Sequence, residues 1–190
     1  MATTQPIRDK QQVRDLAEYY LEKGQLRNHV LILLGLYTAL RISDLLRLTW
    51  DDVYDFKNDR VRTRIDIVEK KTHKAKSISL NIAVVNALVM FADRSAQKGS
   101  VLIENPQTRK AISRIQAYRL IRSASDALRF QCSISCHSLR KTFGYHAWKS
   151  GVSPVVIMEI YNHNTLAVTQ RYLGVTQDDK DAVYMNLAYS

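Results

Sequence analysis

The sequence predicts an α+β fold, mainly helical, with a small antiparallel β-sheet or hairpin near residues 53–80. Most of the chain repeats apolar residues at helical spacing, whereas residues 61–67 alternate with a period of two. With 190 residues, 46% hydrophobic composition and only 6 Gly and 3 Pro, the chain suits one domain with a real core. The longest apolar run, residues 30–37, is far too short to span a bilayer.

The first three predicted elements are helices. Residues 9–22 place apolar side chains at helical spacing, and residues 26–38 form an apolar stretch that is too long for an ordinary strand. A short third helix is predicted to start at Arg41. The residues expected to face inward on the first and third helices are Val13, Leu16, Ala17, Tyr20, Ile42, Leu45 and Leu46.

Two strands and a basic loop follow. Residues 61–67 are predicted to form a half-buried strand, and residues 77–80 to return as its partner. Taken alone, the loop between them is a solvated basic turn, but a mobile basic hairpin tip can also reach into a DNA groove. The candidate residues in the loop are four lysines, Lys70, Lys71, Lys74 and Lys76, together with His73.

Two scaffold helices are predicted next. Asn81 caps a helix that runs to residue 91, and a second helix covers residues 111–128. One face of each is expected to lie in the core, because its apolar residues recur at helical spacing. These residues are Ile82, Val85 and Val89 on the first helix, and Ile112, Ile115, Tyr118 and Ile121 or Leu120 on the second.

The last third of the chain holds further candidate residues. His137 and Arg140, three residues apart, share one face of a predicted helix. A shorter helix and a loop with His163 follow, and a last short helix carries Tyr172. The predicted boundaries are Gly151 after the first helix, Ser153 and Pro154 as cap and first turn of the second, and Asn164 and Gly174 around the third.

The charge balance favours a polyanionic partner. The formal net charge is +10, from 28 basic and 18 acidic residues. Nucleic acid or an acidic membrane surface would suit this charge, and a surface that is basic only for solubility is the alternative.

Cys132 and Cys136 are the only cysteines, and two reduced thiols are their expected state. A zinc site with His137 and His146 is conceivable, but the spacing matches no familiar zinc pattern. The sequence also offers no carboxylate cluster for a metal. We expect neither a metal nor another cofactor.

Six positions carry the groups needed to cut and rejoin a phosphodiester. Two arginines can hold the non-bridging oxygens of a phosphate, because a planar guanidinium offers paired donors. A tyrosine hydroxyl can attack phosphorus, while histidines and a lysine move protons and bind developing charge. In chain order these are Arg41, a lysine of the basic loop, His137, Arg140, His163 and Tyr172.

The order and spacing of these residues resemble the catalytic domain of the tyrosine recombinases, also called the phage integrase family, from about residue 9 to residue 174. The family reads Arg, Lys, His-x-x-Arg, His or Trp, then Tyr, and its usual His-x5-Thr-x2-Tyr ending fits His163, Thr169 and Tyr172. The family's Lys-Thr or Lys-Gly turn selects Lys71 from the loop, with Lys70 as the second choice. Each motif alone is weak, but the ordered set is specific.

The chain departs from the family pattern at a few positions. Tyr161-Asn162 stands where Leu-Gly is usual, and Asn tolerates the left-handed conformation better than most non-glycine residues. Ala39 stands where Gly is commoner, and Asp44 where Glu is commoner. The resemblance implies that Asp44 buttresses Arg41 from the same helical face.

The resemblance implies a site-specific DNA recombinase that integrates, excises or inverts DNA. Tyr172 would form a 3′-phosphotyrosyl bond without metal or ATP, while the two arginines offset charge and Lys71 protonates the leaving 5′-oxygen. His137 would accept the tyrosine proton or hold a phosphate oxygen, and His163 would donate to a non-bridging oxygen. A type IB topoisomerase and a DNA-binding accessory protein without chemistry are the alternatives.

The implied partners are duplex DNA recombination sites and further copies of the chain. We expect a tetramer on DNA, a monomer or weak oligomer without it, accessory DNA-bending proteins as further candidates, and no membrane contact. The expected location is the cytoplasm, in association with the nucleoid. On the loop, Lys70, His73, Lys74 and Lys76 are expected to contact DNA.

The expected domain organisation has three parts. Residues 1–8 would be a flexible N-terminus, residues 9–174 the catalytic domain, and residues 175–190 a tail helix that contacts a neighbouring protomer or packs on its own domain. No separate N-terminal core-binding domain is expected, and both a naturally short recombinase and a fragment of a longer integrase fit this. The apolar residues of the tail helix are Val183, Tyr184 and Leu187.

Overall fold

The computed structural model describes residues 4–186 and confirms the predicted class, a mainly helical α+β fold with small antiparallel sheets. The N-terminal half contains α1 Lys10–Glu22, α2 Leu26–Tyr37, α3 Ile42–Leu45, α4 Trp50–Val53, β1 Tyr54–Asp55, β2 Arg60–Val61, β3 Arg64–Val68, β4 Ala75–Ser79 and α5 Ile82–Ser95. The C-terminal half contains α6 Arg114–Ala127, α7 Cys136–Lys149, α8 Pro154–Tyr161, α9 Leu166–Leu173 and α10 Gln177–Asn186.

Helix α2 is the centre of the domain. Nine of its 12 residues are buried, and it packs against α1, α5 and α7. Gly35 permits the close approach of α7, because a Cβ atom at this position would lie 2.6 Å from the Cδ1 atom of Leu139. The helix that carries His137 and Arg140 is therefore held firmly against the core.

The predicted long strand over residues 61–67 is divided in two. The Arg62 N–H donates to the Val53 carbonyl at 2.8 Å, so the chain turns there, and β2 pairs with β1. Strand β3 pairs with β4 in an antiparallel register that sets Ile65 opposite Ile78 and Ile67 opposite Lys76. One face of this hairpin is consequently buried.

The predicted inward face of α5 is wrong, whereas for the second helix Ile112 and Ile121 are buried as predicted and Ile115 and Tyr118 are not. Ile82 is 69% exposed and Ile115 is 63% exposed. The buried stripes instead include several alanines, which let these helices approach their neighbours closely although they add little hydrophobicity to the sequence pattern. These stripes are Val84, Ala87, Leu88 and Phe91 on α5, and Ala117, Ile121 and Ala124 on α6.

The segment before α1 packs on the domain over residues 4–8, in contrast to the flexible N-terminus expected from the sequence. Ile7 is 1% exposed, and its N–H donates to the Thr142 hydroxyl at 2.9 Å. Arg8 donates to the carbonyl of Gly174 at 2.8 Å. This segment therefore ties α7 to the end of α9.

Helix α10 is joined to the domain near its start. Lys149, the last residue of α7, forms an ion pair of 2.5 Å with Asp179. Tyr184 and Met185, near the end of α10, are 81% and 85% exposed. Leu187 and the side chain of Val183, which belong to the predicted apolar stripe, lie outside the described part of the chain.

Candidate active site

Five of the six candidate residues lie around the junction of α3, α7 and the α8–α9 turn. Arg41 is the N-cap residue of α3, His137 and Arg140 belong to the first turns of α7, His163 lies in the turn after α8, and Tyr172 is in the last turn of α9. The sixth, Lys71, is exposed on the loop of the β3–β4 hairpin.

The hydroxyl of Tyr172 is hydrogen-bonded to His137. The Nε2 atom of His137 lies 2.7 Å from the Tyr172 Oη atom. Burial of the imidazole and the positive charges of Arg140 and Lys141 lower the pKa of His137 below its usual value. A neutral imidazole in this position can accept the proton of the tyrosine hydroxyl.

His163 also packs against the Tyr172 ring, with 4.7 Å between ring centroids. Its Nδ1 atom lies 3.1 Å from the hydroxyl of Thr169, which is fully buried. Burial and the charges of Arg140 and Arg41 lower the pKa of His163 to about 4, so the ring is neutral at physiological pH. With the Thr169 hydroxyl donating to Nδ1, the ring proton lies on Nε2, which is then a hydrogen-bond donor.

Arg140 is held by backbone groups of two distant segments. Its side chain is buried, its Nη1 donates to the Ala39 carbonyl, and its Nη2 donates to the Tyr161 carbonyl at 2.8 Å. The guanidinium also lies over the ring of Tyr161, at 4.5 Å from the centroid. Burial and the charge of Arg41 lower the pKa of Arg140 to about 10, so it remains cationic at neutral pH.

Tyr161 connects the two arginines. Its carbonyl accepts from Arg140 and, at 3.5 Å, from Nη2 of Arg41, while its hydroxyl donates to the Arg140 carbonyl at 2.5 Å. Gly144 leaves room for this hydroxyl, because a Cβ atom there would overlap the Tyr161 Oη atom and lie 2.9 Å from Cζ. The buried tyrosine thus fixes the relative position of both guanidinium groups.

Glu69, which sequence reasoning missed, holds three parts of the site together. Its side chain is fully buried, and its Oε2 atom pairs with Arg41 at 2.9 Å. The same oxygen accepts from the Thr72 hydroxyl at 2.7 Å and from Asn162 Nδ2 at 2.9 Å. Burial by itself would raise the pKa of Glu69, but these hydrogen bonds and the charges of Arg41 and Lys76 lower it, so Glu69 is ionised.

Asp44 makes a different contact from the one expected. It is buried, and its Oδ1 atom accepts from the backbone N–H of Lys70 at 2.8 Å, while Glu69 is the carboxylate paired with Arg41. The short α3 helix directs Asp44 toward the start of the basic loop. Asp44 therefore anchors the loop, and Glu69 orients the arginine.

The turn between α8 and α9 follows the expectation for Asn162. This residue adopts the left-handed conformation, with φ 51° and ψ 41°, and caps α8. Unlike glycine, it also supplies a side chain that reaches Glu69. The predicted cap of α9 is wrong: Thr165 caps that helix, rather than Asn164, and its hydroxyl accepts from the Val168 N–H at 3.4 Å.

The lysines and the histidine of the loop divide into two groups. Lys70, Lys71, His73 and Lys74 are exposed, whereas Lys76 is half-buried on the inner face of β4. The alternation along β4 could have revealed this orientation, because Ile78, two residues on, is buried on the same face. The inward position of Lys76 differs from the DNA-contacting surface residue expected from the sequence.

Buried polar atoms without a hydrogen-bond partner concentrate in this site. Over residues 4–186 they are confined to charged side chains that line it, and the Arg41 atom is near Glu69 but outside hydrogen-bond geometry. Such groups are costly to bury without partners, and the nitrogen atoms among them can donate to a bound anion. The atoms are Nη1 of Arg41, Oδ2 of Asp44, Oε1 of Glu69, Nζ of Lys76 and Nε of Arg140.

Both cysteines are free thiols. Cys132 is exposed and Cys136 is half-buried, and burial raises the pKa of the Cys136 thiol to about 11. Within the described residues, no three or more His, Cys, Asp or Glu side chains are placed to hold a metal ion. Every helix in this part of the chain is also too short or too polar to cross a bilayer.

Solved structures with a similar fold include recombinases. A XerA recombinase superposes with a TM-score of 0.79 at 20% identity, over 100% of this chain and 66% of that one. A lambda integrase dimer bound to a core site gives 0.70 at 16% identity, over 100% and 51%. The fold is that of the catalytic domains of tyrosine recombinases.

Sequence comparison gives the family. The model of the phage integrase family matches residues 8–178. The probable integrase/recombinase YoeC of Bacillus subtilis (strain 168) is 33% identical over 184 residues, which cover 97% of each chain. Tyrosine recombinase XerD of Mycobacterium leprae is 26% identical over 80% of this chain but only 49% of its own length. The chain belongs to the phage integrase family.

Proposed function

We propose that this protein is a site-specific DNA recombinase that cuts and rejoins duplex DNA through a 3′-phosphotyrosyl intermediate formed on Tyr172. The observation that carries the proposal is the 2.7 Å hydrogen bond between the Tyr172 hydroxyl and His137, beside two arginines that are held in place. A nucleophile bonded to a neutral base, next to fixed cations, is suited to attack on a phosphodiester.

In the cleavage step, the Tyr172 oxygen attacks phosphorus while its proton passes to Nε2 of His137. The bond between phosphorus and the 5′-oxygen breaks, and that oxygen leaves with a proton from Lys71. The arginines stabilise the charge on the non-bridging oxygens, and the Nε2–H of His163 donates to one of them. Reversal of these transfers with a 5′-hydroxyl from another strand rejoins the DNA, so the exchange needs no ATP.

Lys71 must approach the phosphate from an exposed loop. The loop is anchored at Lys70 by Asp44 and at Thr72 by Glu69, so its base is fixed. Its exposed cations face outward, where a DNA backbone can pair with them. We infer that Lys70, His73 and Lys74 bind the duplex and that this binding brings Lys71 into the site.

Recombination of two sites requires several protomers, and we propose a tetramer on DNA. The exposed end of α10, with Tyr184 and Met185, is the natural surface for a contact with a neighbouring protomer. The net charge of +10 supports association with DNA. We further propose that residues 9–174 form the catalytic domain, that the free chain is a monomer or weak oligomer, and that it works in the nucleoid, where DNA-bending proteins are candidate partners.

The test is covalent capture on DNA whose sequence need not be known. The protein is incubated with a pool of nicked duplexes that have a randomised central segment, and adducts that survive denaturation are isolated and sequenced. Enrichment of one core sequence among the adducts is the expected result. Adducts without sequence preference, together with rapid relaxation of any supercoiled plasmid, would indicate a topoisomerase, and the absence of adducts would indicate a DNA-binding protein without chemistry.

A further inference from the structure

Lys76 faces the interior of the protein, in contrast to the other cations of its loop. It lies opposite Ile67 in the β3–β4 register, on the face that also buries Ile65 and Ile78. Its Nζ atom is buried and makes no hydrogen bond to any described residue. A buried ammonium without a partner disfavours folding, so its presence requires a reason.

Four charged groups face Lys76 from the surrounding elements. Arg41 and Asp44 belong to the α3 region, Glu69 follows β3, and Arg140 comes from α7. Burial and the charges of Arg140 and Arg41 lower the pKa of Lys76 to about 8, although Glu69 and Asp44 act in the opposite direction. At neutral pH the side chain is therefore still mainly an ammonium ion, but it loses its proton at a lower pH than an ordinary lysine does.

The charges in this region do not balance. Lys76 and the charged groups that face it comprise three cations, Arg41, Arg140 and Lys76, and two carboxylates, Asp44 and Glu69. This set has an excess of one positive charge, and Lys141 near His137 adds another, so the region favours a phosphodiester, which carries one negative charge. Lys76 and Arg140 each retain a buried nitrogen without a hydrogen-bond partner, so each has a donor available for an incoming anion, whereas Nη1 of Arg41 is paired with Glu69.

We propose that Lys76 is a third cation for the scissile phosphate, which holds a non-bridging oxygen together with Arg41 and Arg140. This role rests on the proposed function and adds a residue to it. It is distinct from the role of Lys71, which gives a proton to the leaving oxygen. Because an ammonium ion is needed, cleavage becomes dependent on the protonation state of Lys76.

The test measures the rate of adduct formation between pH 6.5 and 9.5 on the duplex selected by covalent capture. At subsaturating DNA the wild-type rate should fall as pH rises through about 8, because it reports the free protein. At saturating DNA the fall should move to higher pH, because a bound phosphate favours the ammonium. K76M should be about 10²-fold slower at pH 7, and its rate should not fall near pH 8. K76R should keep much of the wild-type rate, and its rate should not fall near pH 8 either.

The matched control is K57M, the same change at an exposed lysine on the β1–β2 turn, which should keep the wild-type pH profile. The melting temperature of K76M at pH 7 should equal or exceed that of the wild type.

A K76M rate within two-fold of wild type, or a fall near pH 8 that persists in K76R, would overturn the role of Lys76 and leave the proposed function intact. A lower melting temperature for K76M would instead identify a structural ion pair with Glu69 or Asp44, and wild-type protein that forms no adduct at any pH would overturn both proposals.

Discussion

The side-chain amide of Asn162 donates to the Oε2 atom of Glu69 at 2.9 Å, between residues 93 positions apart in the sequence. This bond joins the turn that carries His163 to the carboxylate that orients Arg41. Where the family usually has glycine, this chain has a residue that both adopts the left-handed conformation and links two parts of the site. The Glu69 carboxylate is consequently as central to the geometry as the residues expected to do chemistry.

Replacement of Glu69 by Gln should disorder Arg41 without unfolding the protein. Glutamine keeps the shape of the side chain but loses the charge that pairs with Arg41, and removal of one partner of a buried ion pair costs about 3–5 kcal/mol. The cost here should lie near or below about 3 kcal/mol, because the Arg41 side chain remains 15% exposed. We expect cleavage to be slowed by roughly ten-fold or more, since a misplaced donor stabilises the transition state poorly.

Adduct formation and urea unfolding measure the two effects of E69Q. The control is D66N, the same chemical change at an exposed carboxylate of β3. Equal activities of E69Q and D66N would show that Arg41 does not depend on Glu69.

Replacement of Gly144 by Ala should damage the site through Tyr161. The added methyl group would overlap the Tyr161 hydroxyl, whose displacement moves the carbonyl shared by the two arginines. Overpacking of this kind typically costs about 1–3 kcal/mol of stability. Thermal unfolding and cleavage should both show the loss.

A second substitution separates this mechanism from a general effect on α7. The Y161F change removes the clashing oxygen, so G144A combined with Y161F should be more stable than the sum of the two single changes predicts. Strict additivity of the two losses would mean that the methyl group does not act on Tyr161.

The assignment of Lys71 as general acid can be tested by changing the leaving group. When the bridging 5′-oxygen is replaced by sulfur, the leaving thiolate needs no proton, so K71A should be slow on ordinary DNA and largely rescued on the phosphorothiolate. K70A should lose only some binding, and that loss should shrink as salt is lowered. A rescue seen in K70A instead of K71A would place the general acid one residue earlier, and no rescue in either would limit Lys71 to binding phosphate charge.

Stability should fall on mild acidification because of His163. Its pKa is about 4 in the folded protein and about 6.5 in an unfolded chain, so the unfolded state binds more protons between these values. The stability from a neutral His163 is therefore fully present above about pH 6.5 and is lost as pH falls toward 4. Urea unfolding from pH 7.5 to 4.5 should show a shallower decline in H163N than in the wild type, whereas H73N, a change at an exposed histidine, should leave the wild-type decline unaltered.

Residue order and local chemistry were enough to predict much of the site. Three predicted features depend only on neighbours in the sequence, and the structure has all three. They are the common helix of His137 and Arg140, the Ser153 cap and the left-handed Asn162. Glu69 could not be predicted in this way, because its partners Arg41 and Asn162 come from other segments and meet only when the domain folds. The same limit explains why Asp44 was assigned to Arg41.

The strand and helix faces illustrate a different limit. The inward orientation of Lys76 could have been predicted from the sequence, because Lys76 lies two residues before the buried Ile78 on the same face of β4. The buried stripe of α5 could not be predicted in this way. Ala87 is buried by a close helix contact, whereas the more hydrophobic Ile82 lies in the exposed first turn. Hydrophobicity gives the period of a helix more dependably than it gives the face.

The identity of the nucleophile is the central claim, and the most direct measurement is to locate the covalent bond. The adduct trapped on the nicked duplex is digested with protease, and the peptide that carries the nucleotide is sequenced by mass spectrometry. We predict attachment at Tyr172, and we predict that Y172F forms no adduct while its DNA affinity stays within a few-fold of wild type. Attachment at Tyr161 or Tyr184, or an adduct that persists in Y172F, would contradict the claim.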